Sequence, residues 1–410
     1  MLMVDVDVIA QIDAYFCTPR HRQLRDDVRR FAQTEIAPHV PAMETDQQIQ
    51  YELAHRIAAQ GWLGPTISGE YGGMGEGHVA KTIIDEEVST VSAPMGAMVQ
   101  ASQLGTAKII HYGTLEQRRR WLPAIARGDV LPTIAVTEPT SGGHVLGMTT
   151  SARRDGDDYI LNGRKVYVGN SHVGTLHGVV ARTGAGKNLT AFLVEADRPG
   201  LTVAGLEPTL GLHGFSFGEL IFDDCRVPTA NRIGREGDGW KVAYSSSITY
   251  GRPNLTAVSL GIHRALLKDT VAYVKQQRRY GRRLADLSII KDKIGKMRSH
   301  LMTSAANAYL AVSMLDRNLP CDTELINAKY QGVELLLESV RIAVDAHGAA
   351  ALLRRNHIER YLRDAYHMLT PAGTPEIQLL RLAEAELGTM TGQWSEQLAD
   401  RIATTPSATS

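Results

Sequence analysis

Residues 133–183 run TIAVTEPTSGGHVLGMTTSARRDGDDYILNGRKVYVGNSHVGTLHGVVART. This stretch reads as strands, whereas the chain on either side of it reads as helices. Thr133, Ile134, Val136 and Thr137 are β-branched, and the turn-rich TEPTSGG follows at 137–143. YILNGRKVYV at 159–168 is a further strand region, with Asn162-Gly163 as a hairpin signal, and GVVART at 178–183 is another. The pattern predicts a small antiparallel β-domain. A loop such as the one at Gly142 and Gly143 leaves backbone amides free, and free amides cradle anionic or flat cofactors. The plainer alternative is a β-domain that merely carries glycines.

Upstream, residues 22–38 place Leu24, Val28, Phe31 and Ile36 at near-helical spacing. Helices are expected at 51–60, 78–91 and 95–111, with a glycine-rich loop GPTISGEYGGMG at 64–75. In YGTLEQRRRWLP (112–123), Gly113 stops one helix and Thr114 caps the next. Downstream, ELIFDDCRVP (219–228) alternates as a strand. Leu255, Val258, Ile262, Leu266, Val271 and Val274 then keep helical spacing. Ile326, Tyr330, Val333, Leu337, Val340 and Val344 alternate by four and three, as in a bundle core. The expected architecture is α+β. A helical N-terminal domain covers 1–130, a central β-barrel-like domain 131–237 and a C-terminal four-helix bundle 238–398, with a disordered tail at 399–410.

Composition narrows the function classes. Lys plus Arg and Asp plus Glu are 44 each, so the formal net charge is zero. That balance argues against nucleic acid or an anionic membrane as partner. Cys17, Cys225 and Cys321 are far apart and form no metal or disulfide framework, which fits a reducing cytoplasm. The acidic, apolar start has no basic n-region of a signal peptide, and no apolar run is long enough to span a bilayer. No His, Cys or Asp set has metal-ligand spacing.

TEPTSGG followed by YILNGRKVYV resembles the β-domain of the acyl-CoA dehydrogenase family, where TEP-x-x-GSD precedes NG-x-K-x-W-I-T-N. The resemblance extends in order through the 64–75 loop, YGTLEQRRRWLP, IGREGDGW at 233–240, YLRDAYH at 361–367 and TPAGTPEIQ at 370–378. It implies FAD, with the isoalloxazine against Ile134, Val136, Thr137, Tyr167, Val168 and Gly169 and the pyrophosphate at Gly142 and Gly143. It further implies cofactor contacts from Thr374 and, in a helix facing a neighbouring subunit's FAD, from Arg278, Arg279 and Tyr280, with Asp345 and Gly348. Arg252 and Tyr250 fall at substrate positions. Subunits of the family pair through the last domain, so a homodimer or homotetramer is implied.

Against that pattern, the Ser and Asp of GSD are Gly143 and His144 here, the Trp is Tyr167, and the Thr whose hydroxyl meets the flavin is Gly169. The largest departure concerns the base. Family dehydrogenases remove an α-proton from an acyl thioester with a carboxylate, which must lie within hydrogen-bond reach. Its two known positions are Ala372 and Gly251 in this chain. The reading we favour is therefore a two-component monooxygenase, taking reduced flavin from a separate reductase and using O2 to hydroxylate a small apolar or aromatic molecule. The missing carboxylate, room at Gly169 and the histidines His144 and His367 support it. The alternative is a dehydrogenase of an acyl-CoA or acyl-carrier-protein thioester with a relocated base, Glu376, that passes electrons to an electron-transfer flavoprotein. A second alternative is a non-catalytic flavin-binding homologue. Single histidines are more often structural than catalytic, and Arg363 and Asp364 are expected in ion pairs between helices.

Overall fold

The computed structural model describes residues 8–46, 50–186, 188–206 and 208–396, so the tail expected at 399–410 lies outside the described residues. The chain begins with helices α1 (Val8–Phe16), α2 (Pro19–Phe31), α3 (Val40–Asp46), α4 (Tyr51–Ala58), α5 (Gly77–Ser89), α6 (Ala93–Tyr112) and α7 (Leu115–Arg127). Helix α2 stops at Phe31 rather than running to 38; a π turn and a 3-10 turn follow. Pro38 has no N–H to continue an α ladder. The Thr114 signal is read correctly: its hydroxyl accepts from the Gln117 amide, and Gln117 returns the bond to the Thr114 N–H. Gly113 ends α6 because a Cβ there would sit 2.5 Å from the Ile109 carbonyl oxygen.

The central sheet comprises β1 (Pro132–Ala135), β2 (Ser151–Asp155), β3 (Asp158–Gly169), β4 (Leu176–Arg182), β5 (Leu189–Glu195), β6 (Leu201–Ala204), β7 (Phe217–Pro228) and β8 (Arg232–Ile233). Its order is β6-β7-β3-β2-β4-β5-β8, with β1 on β4. It is mostly antiparallel, but β1 and β2 meet β4 in parallel. Tyr159, Leu161, Phe192, Val194, Leu220 and Phe222 form its core. Asn162-Gly163 is not the hairpin turn. The turn between β2 and β3 is at Gly156-Asp157, where Asp155 pairs Asp158 and Gly156 has φ 62°. Gly163 is instead a bulge inside β3, with φ 144° and a Cβ site only 2.7 Å from Thr150 Cα.

Helices α8 (Gly239–Ser246), α9 (Arg252–Gln276), α10 (Ser288–Asp316), α11 (Asp322–His347), α12 (Ile358–His367) and α13 (Pro375–Glu386) complete the chain. Helices α9, α10 and α11 pack on one another, α12 and α13 lie on α11, and α5 packs on α9 and α10. The 277–281 segment is not helical. Helix α9 ends at Gln276, and β9 (Arg278–Arg279) and β10 (Arg282–Arg283) form a hairpin through Tyr280 and Gly281. Both turn residues have positive φ, 52° and 72°, as a tight hairpin with right-handed twist needs. Among the described residues no helix is long and apolar enough to cross a membrane.

Candidate active site

Two walls face the region that the sequence singled out. The first is the edge of the β-domain. Glu138 is buried at the bend after β1, where its carboxylate accepts from the Thr149 and Thr150 amides and from Lys165 Nζ at 2.8 Å. Lys165 also donates to the Val136 carbonyl. Burial opposes ionisation of Glu138, but Lys165 and the two threonines overcome it and hold the carboxyl at about 2. This clamp shapes the loop that carries Gly142 and Gly143. Both glycines are exposed, and a Cβ on either would meet nothing within 4 Å, so their backbone stands open. His144 is exposed on the same loop.

Beyond the loop, Tyr167 is 66% exposed, an unusual state for an aromatic ring, and it stacks on Phe217 at 5.7 Å. Phe217 in turn meets the edge of His367 at 5.1 Å. Burial lowers His367 to about 4, so the ring is neutral near neutral pH. Val168 is buried in the sheet core and offers this wall only its backbone. The room expected at Gly169 does not exist: a Cβ there would lie 3.0 Å from Phe215 Cζ and 3.4 Å from Ala101 Cβ. Phe215 takes the volume of the missing side chain.

The second wall is the turn between α8 and α9. Residues Ser247–Gly251 form a π-helix, a form that concentrates at functional sites. Pro253 cannot donate to the Thr249 carbonyl, which accepts from the buried Lys81 ammonium instead. The two known base positions meet here. A Cβ built on Gly251 would sit 3.4 Å from Ala372 Cβ, 3.6 Å from Ser247 Oγ and 3.9 Å from Leu104 Cδ1. The two positions, more than a hundred residues apart in sequence, thus address one point in space, and neither supplies a carboxylate.

Arg252 lies beneath the 370–374 loop. Its Nε donates to Gln378 Oε1 at 2.9 Å and its Nη1 to Ser247 Oγ at 3.2 Å. Gln378 and Lys329 hold the loop from below through the Leu369, Ala372 and Gly373 carbonyls. Ala372 itself has φ 56°. Thr374 is the N-cap of α13. Glu376, in the first turn of that helix, is exposed, and the Thr374 hydroxyl lowers its pKa, the opposite of what a relocated base needs.

A cavity of about 240 Å³ opens beside this wall, lined by Leu146, Trp240, Tyr244, Ile248, Arg381 and Trp394 among others. Trp240 stacks on Tyr244 at 5.0 Å, and Tyr244 meets Trp394 at 5.4 Å. Tyr250 does not join this group. It is buried, bonds to Thr66 Oγ1 and borders a different cavity, shared with His78, His111 and Asp316. Arg278, Arg279 and Tyr280 are exposed at the far end of α9 from Arg252; a helix of 25 residues is roughly 37 Å long. Asp345 pairs with Lys293 at the surface, and Gly348 follows α11, exposed, with φ 60°. Within one chain these residues are therefore remote from the two walls.

Trp240, Tyr244, Trp394, Phe215, Phe217, Lys329 and the Glu138–Lys165 pair were not legible as site residues. Trp240 and Tyr244 are spaced i,i+4 on α8, the one local signal available. The contacts of His213 and of Arg363 and Asp364 also resolve. His213 bonds to the Thr209 carbonyl and faces Glu44. Arg363 pairs with Glu44 and Glu359, whereas Asp364 makes no ion pair among the described residues and accepts from the Leu212 amide. No group of three or more His, Cys, Asp or Glu among the described residues could hold a metal.

The open glycine loop and the exposed Tyr167–Phe217 stack fit a flavin: amides for a pyrophosphate and an aromatic face for a flat ring. Comparison with known proteins agrees. Residues 18–129, 133–225 and 237–387 match the N-terminal, middle and C-terminal domain models of acyl-CoA dehydrogenase. An acyl-CoA dehydrogenase of Bacillus subtilis (strain 168) is 33% identical over 375 residues, 90% of this chain and 99% of the relative. The structure of butyryl-CoA dehydrogenase from Megasphaera elsdenii superposes with a TM-score of 0.88 at 27% identity, covering 90% of this chain and 98% of that one. A glutaryl-CoA dehydrogenase from Mycobacterium smegmatis in complex with FADH2 gives 0.85 at 26% identity, over 92% and 96%. On its domains, its fold and its flavin-compatible wall, this chain belongs to the acyl-CoA dehydrogenase family.

Proposed function

We propose that the chain is an FAD-dependent oxidoreductase that oxidises a small, largely apolar or aromatic molecule with reduced flavin and O2, without abstracting an α-proton by a carboxylate. The observation that carries this reading is the meeting of Gly251 and Ala372 at one point, with a hydrogen and a methyl where the family places a carboxylate. The support once expected from Gly169 and His144 falls away, because Phe215 fills the first and the second is exposed.

Bound FAD supplies the two-electron chemistry. Tyr167 and Phe217 orient its ring, and the amides of Gly142 and Gly143 hold the anionic end. Trp240, Tyr244 and Trp394 form an apolar mouth that admits an aromatic substrate and excludes water from the reacting face. Near neutral pH His367 is uncharged and rests on Phe217, so it packs against the wall and adds no charge to it. A separate flavin reductase is the partner under this reading. A homodimer or homotetramer would bring the 278–283 hairpin of one chain to the cofactor of another.

The second reading is oxidation of an acyl thioester with electrons passed to an electron-transfer flavoprotein. It is favoured by the relatives, which are named acyl-CoA dehydrogenases. Anaerobic mixing of the FAD-loaded protein with a panel of acyl-CoAs separates the two. Under the oxygenase reading no acyl-CoA bleaches the oxidised flavin band, and product forms only with a flavin reductase, NAD(P)H and air. Bleaching by any acyl-CoA establishes the thioester reading instead.

A further inference from the structure

Two buried cations, Arg252 and Lys329, hold the loop that carries Ala372 beside Gly251. Arg252 is 2% exposed and Lys329 1%. Among the described residues neither has a carboxylate within ion-pair distance: Arg252 bonds to Gln378 and Ser247, and Lys329 bonds to two backbone carbonyls. Asp322, the acidic side chain that acts on Arg252 from further off, is occupied by the amides of Trp394 and Ser395. A buried cation without a partner is costly unless a ligand completes it.

The mouth brings a second arginine close to Arg252. Tyr244 has Arg252 over its ring at 5.9 Å and Arg381 at 5.6 Å. Arg381 lines the mouth cavity and pairs with Glu384 through Nη1 at 2.6 Å, while its buried Nε has no hydrogen-bond partner among the described residues. Two guanidinium groups therefore share Tyr244, one at the entrance and one at the floor. A Cβ added at Gly251 meets Ala372, Ser247 and Leu104 at ordinary van der Waals distance, so the position takes a side chain without a clash.

We infer that a carboxylate carried by the substrate occupies the place beside Gly251 and Ala372 and pairs with Arg252, so the substrate is a free, apolar or aryl carboxylic acid rather than a thioester. Ser247 shares the Arg252 guanidinium and orients it, and the aromatic mouth takes the apolar body of the acid. The inference rests on the proposed reading that no carboxylate of this chain serves at that point. Binding reads it out without turnover, so failure of oxygenation and failure of acid binding are separate results.

The probe is benzoate, with benzamide as its neutral isostere, titrated into the FAD-loaded protein. Both the visible flavin band and tryptophan fluorescence are followed. Benzoate is expected to bind at least roughly tenfold more tightly than benzamide, the preference a charge-assisted pair confers. Ala372→Glu, and independently Gly251→Glu should the first variant not fold, brings an internal carboxylate to the same place. Either should weaken benzoate at least about tenfold while leaving benzamide nearly unchanged, and the size control Ala372→Gln should not discriminate against benzoate. No benzoate binding, equal affinity for acid and amide, or glutamate variants that bind benzoate as the parent does would overturn the inference.

Discussion

Arg25 and Arg252 are each 2% exposed, yet their surroundings are opposite. Arg25 is ringed by Asp13, Glu86 and Glu87 at 3.0, 3.1 and 2.8 Å, with the Tyr309 hydroxyl at 2.7 Å. Burial opposes its charge, but Tyr309 and the three carboxylates outweigh burial and raise its pKa well above the ordinary value. Arg252 has a glutamine and a serine, and burial lowers it to about 10. The same residue at the same depth is thus a finished structural ion cluster in one place and an incomplete one in the other. The incomplete one lies beside the two positions where the family keeps its base, which is why we propose it as part of a binding site.

The strongest way to break this contrast is to complete the second cluster from within. Ala372→Glu returns a carboxylate to the shared point. We expect it to let acyl-CoAs reduce the flavin anaerobically, with a rate gain on the order of 10²–10⁴ over the parent, the usual worth of a positioned general base. Stopped-flow bleaching of the oxidised band measures it. No gain, with benzoate binding lost, would mean that the pocket accepts a carboxylate but does not place a thioester.

Removing each arginine tests the same contrast through stability. Arg25→Met takes the ion-pair partner from Asp13 and leaves Glu86 and Glu87 to Arg264 and Arg29, and should cost about 3–5 kcal/mol. Arg252→Met removes a cation that has no counter-charge and should change stability by less than roughly 1 kcal/mol in either direction, while benzoate affinity falls. Urea unfolding of the two variants at one pH reads both numbers. Equal destabilisation would show that Arg252 is compensated after all.

The fold was legible because its signals are local: alternation in 219–228, four-and-three spacing in α11, and the Thr114 cap. The errors were local too. Asn162-Gly163 has the composition of a turn, but β3 pairs with β7 along its length and tertiary pairing overrides the dipeptide. The 277–281 segment follows a long helix, yet two residues in the left-handed region turn it into a hairpin. In the site, the absent carboxylates could be read from Ala372 and Gly251 directly. That the two positions coincide could not, because the coincidence is a tertiary fact. Nor could Phe215, whose ring comes from outside both motifs to fill the space at Gly169.

That filling distinguishes the flavin side of the site from the base side. A Cβ at Gly251 meets ordinary contacts, whereas one at Gly169 meets Phe215 at 3.0 Å. Gly169→Thr, which puts back the family's residue, should therefore destabilise by about 1–3 kcal/mol through overpacking. Gly169→Thr combined with Phe215→Leu should recover much of that loss, since the two side chains compete for one volume. Thermal unfolding of the single and double variants supplies the comparison, and strict additivity would show that the two positions do not interact.

Asp364 is the mirror image of Arg252, a buried carboxyl with no cation in ion-pair contact among the described residues, since its neighbour Arg363 is engaged by Glu44 and Glu359. Burial raises it from the ordinary 3.8 to about 7, with the Leu212 amide opposing and Glu44 adding to the rise. The folded state therefore keeps a proton that the unfolded chain releases near pH 4. Stability contributed by this group is full below that pH, falls as pH rises toward 7, and is lost above it, once the folded state must ionise as well. Asp364→Asn retains an acceptor for the Leu212 amide and cannot ionise. Its advantage over the parent should be absent at pH 4, grow through pH 6 and level off above 7 at on the order of 4 kcal/mol, read from urea midpoints at several pH values. An advantage independent of pH would mean that the carboxyl is ionised throughout, and that a cation reaches it as none reaches Arg252's missing anion.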